Sequence, residues 1–233
     1  MTEAKQAEIR ENIQKIRNAM SAYPKTELMA VIKTRTTEEI NFAIRECGIK
    51  LVGENRVQEL LAHYEEMDRS AKLHFIGTLQ KNKVKYIIDK IDMIESLDSE
   101  GLAAEIQKRA EKIGRVIPAL IEVNIGREEA KSGCFPEDIE GFCLMLKSCP
   151  NISVQGLMTI APICEDKNDY NRYFAEMTEL KNKLFPKYFP EIEAPILSMG
   201  MSGSFSQALE NESNIIRIGE GIFGKRNLPI AEA

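Results

Sequence analysis

Eight short runs of apolar and β-branched residues, each followed by a longer amphipathic stretch, restrict the fold of this chain more than any other feature. The runs predict strands at residues 28–32, 50–52, 73–76, 93–96, 117–123, 154–158, 196–198 and 215–218. The amphipathic stretches predict a leading helix at 3–21, a short turn after Gly221, and helices at 37–47, 56–67, 82–89, 99–112, 136–147, 168–184 and 204–209.

Strand followed by helix, repeated without a linker, is typical of a closed parallel barrel surrounded by helices. We therefore predict an α/β protein with one domain over residues 1–233, a single (β/α)8 TIM barrel with an extra N-terminal helix. A Rossmann sheet is the alternative. It is less well supported, because the segment IKTRTT after the first strand lacks the glycines of a dinucleotide-binding turn.

The composition argues against several classes of protein. A formal net charge of −5 opposes binding to a nucleic-acid backbone. No apolar run approaches the roughly 20 residues of a membrane span. The beginning of the chain is charged throughout, so we expect a cytoplasmic protein without membrane contact. The five cysteines form no CxxC pair and the chain has only two histidines, so we expect neither a disulfide framework nor a metal site.

Lys33 is the candidate site residue with the clearest chemistry. In a β/α barrel the functional face is formed by the carboxyl ends of the strands, and Lys33 directly follows the apolar run MAVI of the first strand. Desolvation and neighbouring cations lower the pKa of an amine in such a place, which allows it to form an imine with a carbonyl ligand. The alternative is a surface lysine that only ends a strand.

Two segments rich in glycine and serine follow the seventh and eighth predicted strands, namely SMGMSGS at 198–204 and RIGEG at 217–221. Backbone N–H groups and hydroxyls in such turns bind anions, and these two loops are the usual phosphate site of this barrel. Ordinary turn chemistry is the alternative explanation. Together with Lys33, the segments predict a phosphorylated aldehyde at the barrel mouth. Pyridoxal 5′-phosphate (PLP) is such a molecule.

Seven segments spread in order along nearly the whole chain carry a resemblance to a known family. They are AVIKT at 30–34, GENRVQE at 53–59, HFIGTLQKNK at 74–83, EVN at 122–124, GLMT at 156–159, SMGMS at 198–202 and RIGEGIFG at 217–224. They resemble the pyridoxal phosphate homeostasis proteins, whose fold is similar to the barrel domain of alanine racemase. The number of matching segments makes a chance resemblance untenable.

The resemblance implies that Lys33 holds PLP as a Schiff base, that Arg217 faces the pyridine nitrogen and that Asn55 lies near the ring substituents. The cofactor-binding residues that it implies are Lys33, Asn55, Ser202, Gly203, Arg217, Gly219 and Gly221. The chain departs from the family at Ser204, where an aspartate is usual. We expect this change to affect the stability of the loop more than cofactor binding.

The resemblance also implies a function in vitamin B6 homeostasis, as a monomer that holds PLP and passes it to PLP-dependent apo-enzymes, without substantial turnover and without a catalytic residue. The alternatives are a PLP-dependent amino-acid racemase and a phosphate-binding barrel enzyme that never binds PLP. Arg217 argues against a racemase, because a cation beside the pyridine nitrogen weakens the ring as an electron sink. A second acid/base group is also absent from the predicted strand ends, since all six tyrosines fall in helices or flanking loops.

Three other polar residues and one loop receive structural interpretations. His74 is predicted to be a hydrogen-bonded core residue, and Glu54 and Glu122 are predicted to orient lysines or backbone amides rather than to form an acid/base pair. Pro186 and two later prolines predict a long loop before the seventh strand.

Overall fold

A closed barrel of eight parallel strands forms the centre of the protein in the computed structural model, which describes residues 1–225. Each strand pairs with the next in sequence, and β8 pairs with β1 through Ile216 and Leu28, so the sheet closes on itself. The strands are β1 (Glu27–Val31), β2 (Leu51–Glu54), β3 (Lys72–Phe75), β4 (Met93–Leu97), β5 (Ile117–Glu122), β6 (Ile152–Met158), β7 (Ile196–Ser198) and β8 (Ile215–Ile218).

One helix precedes the barrel and one follows each strand. Local capping explains where the first two begin, because Thr2 caps the first helix and a capping box joins Thr36 to Glu39 at the second. The helices are α1 (Glu3–Ala19), α2 (Thr37–Arg45), α3 (Val57–His63), α4 (Val84–Ile87), α5 (Glu100–Lys112), α6 (Ile139–Leu146), α7 (Lys167–Tyr188), α8 (Phe205–Glu210) and α9 (Glu220–Phe223).

This architecture confirms the predicted (β/α)8 barrel with an additional N-terminal helix. Some predicted helix ends are wrong. The helix expected to end at residue 67 ends at His63, and the helix expected to end at residue 184 continues through Pro186 to Tyr188. Proline removes one helical hydrogen bond. The last turn persists because the Phe189 N–H donates to the Phe185 carbonyl at 2.9 Å and both rings pack into the core.

Alternation of side chains along the strands divides the core into two layers. The larger layer lies between the sheet and the helices and contains the outward-facing residues of the strands, such as Ala30 and Ile32 of the β1 segment. The smaller layer fills the inside of the barrel and is called the inner plug below. Its buried members are Met29, Val31, Leu51, Ile76 and Ile215, continued by Met93, Leu120 and Met158.

The composition-based exclusions concern sites as well as the fold. All five cysteines are free thiols. Within residues 1–225, each helix is too short or too polar to cross a bilayer. The same residues contain no group of three or more His, Cys, Asp or Glu side chains arranged to hold a metal ion.

Candidate functional site

Polar side chains continue the inward-facing series of the strands beyond the apolar inner plug. A residue two positions after a member of the plug faces the barrel axis on the same side of its strand. Lys33 follows Val31 in this way, and Arg217 follows Ile215. The same periodicity turns a polar group inward on most strands: Lys33, Asn55, His74, Glu95, Glu122, Ser198 and Arg217.

Hydrogen bonds hold the backbone on both sides of Lys33, where the chain passes from β1 into the following loop. The backbone hydrogen bonds between β1 and β2 continue one residue past the end of β1, because the Ile32 N–H donates to the Gly53 carbonyl at 2.9 Å. The chain then turns at Thr34, whose φ of 62° is unfavourable for a β-branched residue. Glu59 stabilises the turn, since its Oε2 accepts the Thr34 N–H at 2.6 Å. The half-buried Lys33 side chain is thereby held at the mouth.

Glu54 and Asn55 end β2, which is the neighbour of β1. Glu54 Oε1 accepts the N–H groups of Asn55 at 2.6 Å and Arg56 at 2.9 Å, so this carboxylate orients backbone amides as predicted. Burial raises the pKa of Glu54 to about 7, although the positive charge of Lys33 acts to lower it. Asn55 Oδ1 is buried and has no hydrogen-bond partner within residues 1–225. Such an acceptor costs about 1–3 kcal/mol unless a ligand or water supplies a donor.

The loop after β7 is joined to the turn after β8 by one hydrogen bond. Ser202 Oγ accepts the Gly221 N–H at 3.2 Å, and the hydroxyl keeps its own proton to donate to a ligand. A Cβ on Gly221 would lie 2.8 Å from Ile218 Cγ2 and 3.3 Å from Ser202 Oγ, so the close approach requires glycine. Residues 202–203 and 219–221 are called the anion cradle below.

The anion cradle opens to solvent on one side and lies close to β1 on the other. Ser202 and Gly203 are exposed, and a Cβ on Gly203 would meet nothing within 4 Å. The corresponding position on Gly219 lies 3.4 Å from Val31 Cβ. Since Val31 is two residues before Lys33, the predicted lysine and the predicted anion-binding turn come from adjacent strand ends.

Ser204 closes the β7 loop without the expected aspartate. Its buried Oγ accepts the Met201 N–H at 3.2 Å, and its own N–H donates to the Met201 carbonyl at 2.9 Å. A serine hydroxyl therefore supplies the acceptor that this turn needs. The departure from the family pattern leaves the loop hydrogen-bonded.

The extra helix α1 supports the anion cradle from behind. Three side chains donate to consecutive backbone carbonyls here. Asn12 of α1 donates to the Ile222 carbonyl at 3.0 Å, Lys5 of α1 to the Phe223 carbonyl, and Arg35 to the Gly224 carbonyl at 2.7 Å. Donors at these carbonyls satisfy the end of the short helix α9, and positive charge is favourable there. The turn that begins at Gly219 is thus fixed from its far end.

Arg217 lies inside the barrel and begins a chain of hydrogen bonds. It is 4% exposed. Its guanidinium donates to Ser198 Oγ and to the Thr159 carbonyl, each at 2.7 Å. Ser198 Oγ donates to Glu95 Oε2 at 2.6 Å, and Glu95 Oε1 bonds His74 Nδ1 at 2.7 Å. This series of hydrogen bonds connects β8 to β3 inside the barrel. It confirms the prediction that His74 is a hydrogen-bonded core residue.

Glu95 is the anion of this network, and sequence analysis did not identify it. Burial alone would raise its pKa, but the hydrogen bond and charge of His74, the charge of Arg217 and the bond from Ser198 hold it below its ordinary value. Burial also lowers the pKa of Arg217, although the carboxylates of Glu95 and Glu122 act to raise it. The available signal was a glutamate in the otherwise apolar strand MIESL, since buried charges are normally paired.

Comparison with known proteins identifies the family. Residues 5–227 match the family described as alanine racemase, N-terminal domain. A pyridoxal phosphate homeostasis protein from Aquifex aeolicus is 45% identical over 201 residues, which cover 86% of this chain and 87% of that protein. The chain belongs to the pyridoxal phosphate homeostasis protein family. The family resemblance predicted from the sequence motifs is therefore confirmed.

Two solved structures relate the fold of this family member to known proteins. PipY of Synechococcus elongatus, solved with PLP bound, is 29% identical with a TM-score of 0.82, covering 93% of this chain and 100% of that chain. Alanine racemase from Corynebacterium glutamicum is 18% identical with a TM-score of 0.74, covering 97% of this chain and 63% of that chain. The second likeness concerns the barrel fold alone.

The residues predicted to bind the cofactor of this pyridoxal phosphate homeostasis family member lie at neighbouring strand ends. Lys33 and Asn55 follow β1 and β2, and the anion cradle follows β7 and β8. Arg217 lies on β8 itself and is hydrogen-bonded within the barrel. Their individual roles toward a ligand stay predictions. Glu122 ends β5 and Glu54 ends β2, and β3 and β4 lie between these strands in the barrel.

Proposed function

We propose that this protein binds PLP and contributes to intracellular PLP homeostasis, with Lys33 attaching the cofactor as a Schiff base. The observation that carries the proposal is the proximity of Gly219 of the anion cradle to Val31, two residues before Lys33: a Cβ added to Gly219 would lie 3.4 Å from Val31 Cβ. A phosphate and an aldehyde on one small molecule match an anion cradle beside an amine. The PLP bound to PipY, which covers 93% of this chain, supports the choice of ligand.

The chemistry of the residues present fits PLP at each of its polar groups. Lys33 offers an amine to the aldehyde, and Ser202 with the backbone N–H groups of the anion cradle offers donors to the phosphate. Asn55 offers a buried, unpartnered acceptor to the ring hydroxyl. Arg217 would face the pyridine nitrogen.

We further propose that the protein has no substantial turnover. Bound PLP supplies an electron sink whose strength depends on protonation of its ring nitrogen. Arg217 carries a positive charge inside the barrel and would disfavour that proton. Tyr23 precedes β1 at the opposite end of the barrel, and the others lie in or beside outer helices: Tyr64, Tyr86, Tyr170, Tyr173 and Tyr188. A tyrosine acid/base group at the mouth is therefore missing among the described residues.

The remaining parts of the proposal concern how PLP is released. We expect a cytoplasmic monomer. We expect it to yield the cofactor to PLP-dependent apo-enzymes, because imine formation is reversible and Ser202 and Gly203 of the anion cradle are exposed. Recovery of activity by an apo-enzyme mixed with the loaded protein, faster than its recovery with the same total PLP bound to serum albumin, would support this role.

Reduction and peptide mapping test the proposed attachment. Titration of the purified protein with PLP is expected to produce a visible imine band that saturates at one equivalent. Borohydride is expected to remove the band and to leave the label on the peptide that contains Lys33. A label on Lys81 or Lys83, or the absence of any saturable band, would contradict the proposal.

Ser202→Ala is expected to weaken PLP binding by about 1.5 to 3 kcal/mol, because it removes one donor to a charged group. This corresponds to a roughly 10- to 150-fold higher Kd. Gly221→Val is expected to weaken it further, since the added Cβ would meet Ile218 at 2.8 Å. The measurement is spectrophotometric titration, with the exposed Ser206→Ala as the matched control. Unchanged affinity in both cradle variants would remove the cradle from the binding site.

The PLP-loaded protein is expected to show no racemisation of L-alanine or L-serine at ordinary enzyme rates, on the order of 1 per second. The reason is the combination of the Arg217 charge and the missing tyrosine. Chiral chromatography of long incubations measures the D isomers. Turnover at that rate, abolished by Lys33→Ala, would make the racemase interpretation correct.

A further inference from the structure

A cavity of about 330 Å³ lies on the side of the mouth opposite Lys33. Thr78 after β3, Glu122 at the end of β5, Ser132 in the following loop and Ile160 after β6 line it. None of the seven residues predicted to bind PLP lines this cavity. The cofactor residues come from β7, β8, β1 and β2, whereas the cavity comes from the β3 to β6 side of the barrel.

Glu122 is the unsatisfied group of this cavity. Its side chain faces inward, two residues after Leu120 of the inner plug, and it is 6% exposed. Its Oε2 is buried and has no hydrogen-bond partner within residues 1–225. A buried carboxylate oxygen in this state lacks the donor that native structures normally provide.

The other polar groups that line the cavity are already engaged. Lys131 forms an ion pair with Glu128, so its charge is compensated. The Asn124 amide is bound within its own loop, donating to the Glu128 carbonyl at 2.8 Å and accepting the Glu128 N–H at 3.1 Å. Thr78 and Ser132 share a hydrogen bond of 3.0 Å that closes one wall. Among the described residues that line the cavity, Glu122 is therefore the charged group whose buried oxygen lacks a donor.

We propose that this cavity binds a small molecule carrying a primary ammonium group on a short carbon chain, with Glu122 as its counter-ion. An ammonium supplies up to three N–H donors, and a carboxylate without donors is the group that would receive them. Ile160 offers an apolar wall to the carbon chain, and the volume suits a molecule of amino-acid size. The site goes beyond the proposed PLP function, because it uses no residue of the cofactor set.

The charge state of Glu122 makes this binding depend on pH. Burial raises the pKa of Glu122 to about 7; Asp98 raises it too, and Arg217 lowers it. Lys131 lines the same cavity and is paired with Glu128. Alkylammonium groups keep their proton up to about pH 10. Binding is therefore expected to strengthen from pH 6 to pH 8.5, as Glu122 ionises.

The test measures binding of n-butylammonium by calorimetry or NMR titration, with n-butanol as the neutral probe of similar shape. It uses the full chain in two forms: without added PLP, and loaded with PLP and then reduced by borohydride, so that the amine cannot react with the cofactor. Saturable binding of n-butylammonium in both forms, absent for n-butanol, is the expected result. If PLP does not bind at all, the first form still tests this cavity independently.

Glu122→Gln is expected to weaken n-butylammonium binding about tenfold or more and to remove its pH dependence. Glu129→Gln, which neutralises an exposed carboxylate of the same loop, is expected to leave both unchanged. Equal affinities in wild type and Glu122→Gln, equal binding of n-butanol, no saturable binding by the wild type, or stronger binding at pH 6 would each overturn the proposal. The comparison of probes and of pH needs no variant, so it stands even if Glu122→Gln does not fold.

Discussion

Lys33→Ala is expected to abolish the reducible PLP adduct and to raise the apparent Kd for PLP about a hundredfold or more. The variant loses both the covalent imine and the amine at the barrel mouth, whereas each remaining polar contact to the phosphate contributes only about 1.5 to 3 kcal/mol. The visible band and the borohydride-fixed label measure the adduct. Equilibrium dialysis measures the residual affinity.

The matched control for this variant is Lys33→Arg, which keeps a cation at the mouth but cannot form the imine. It is expected to bind PLP through the phosphate without a visible imine band. Both variants are expected to melt close to the wild type without PLP, because the Lys33 side chain is only half-buried. A persistent band in either variant would place the attachment on another lysine.

Arg217→Met is expected to lower the free energy of unfolding by about 3 to 5 kcal/mol. The substitution removes the Arg217 charge that acts on the fully buried Glu95, and it removes the donors to Ser198 and Thr159. Urea unfolding with an unchanged m-value measures the loss.

Arg127→Met is the matched control, because Arg127 also bonds several partners but lies at the surface. Its ion pairs with Glu137 and Glu176 are exposed, so we expect a loss of at most about 1 kcal/mol. Adding Glu95→Gln to Arg217→Met is expected to recover part of the larger loss, since the uncompensated charge is removed. Equal destabilisation by Arg217→Met and Arg127→Met would mean that the buried network contributes little to stability.

The fold could be predicted from the sequence because two independent signals identify the strands of a barrel. These are their apolar composition and their regular alternation with helices. All eight strands lie within a few residues of their predicted positions. The end of α7 could not be predicted, because the stabilisation of the turn after Pro186 comes from Phe185 and Phe189 packing into the distant core. Local propensity at a proline cannot contain that information.

The candidate site is predictable only where its residues end strands or form glycine-rich turns. Lys33 and the Ser202 loop have such local signals, whereas Glu95 acquires its role through His74 and Ser198, which are far from it in sequence. Glu122 was interpreted as a group that orients amides or lysines. Its unpartnered oxygen becomes visible only when the loops around it are placed.

The closure of β8 onto β1 has a consequence for how the protein is made. Lys33 and Asn55 are synthesised well before the anion cradle, which follows β7 and β8. Pairing β1 with β8 joins residues that are far apart in the sequence, and contacts of such separation form slowly. A chain that ends before β8 would therefore have the lysine without the anion cradle. A ligand that binds only the closed barrel stabilises it by mass action. PLP supplied during refolding would therefore favour the pairing of β1 with β8.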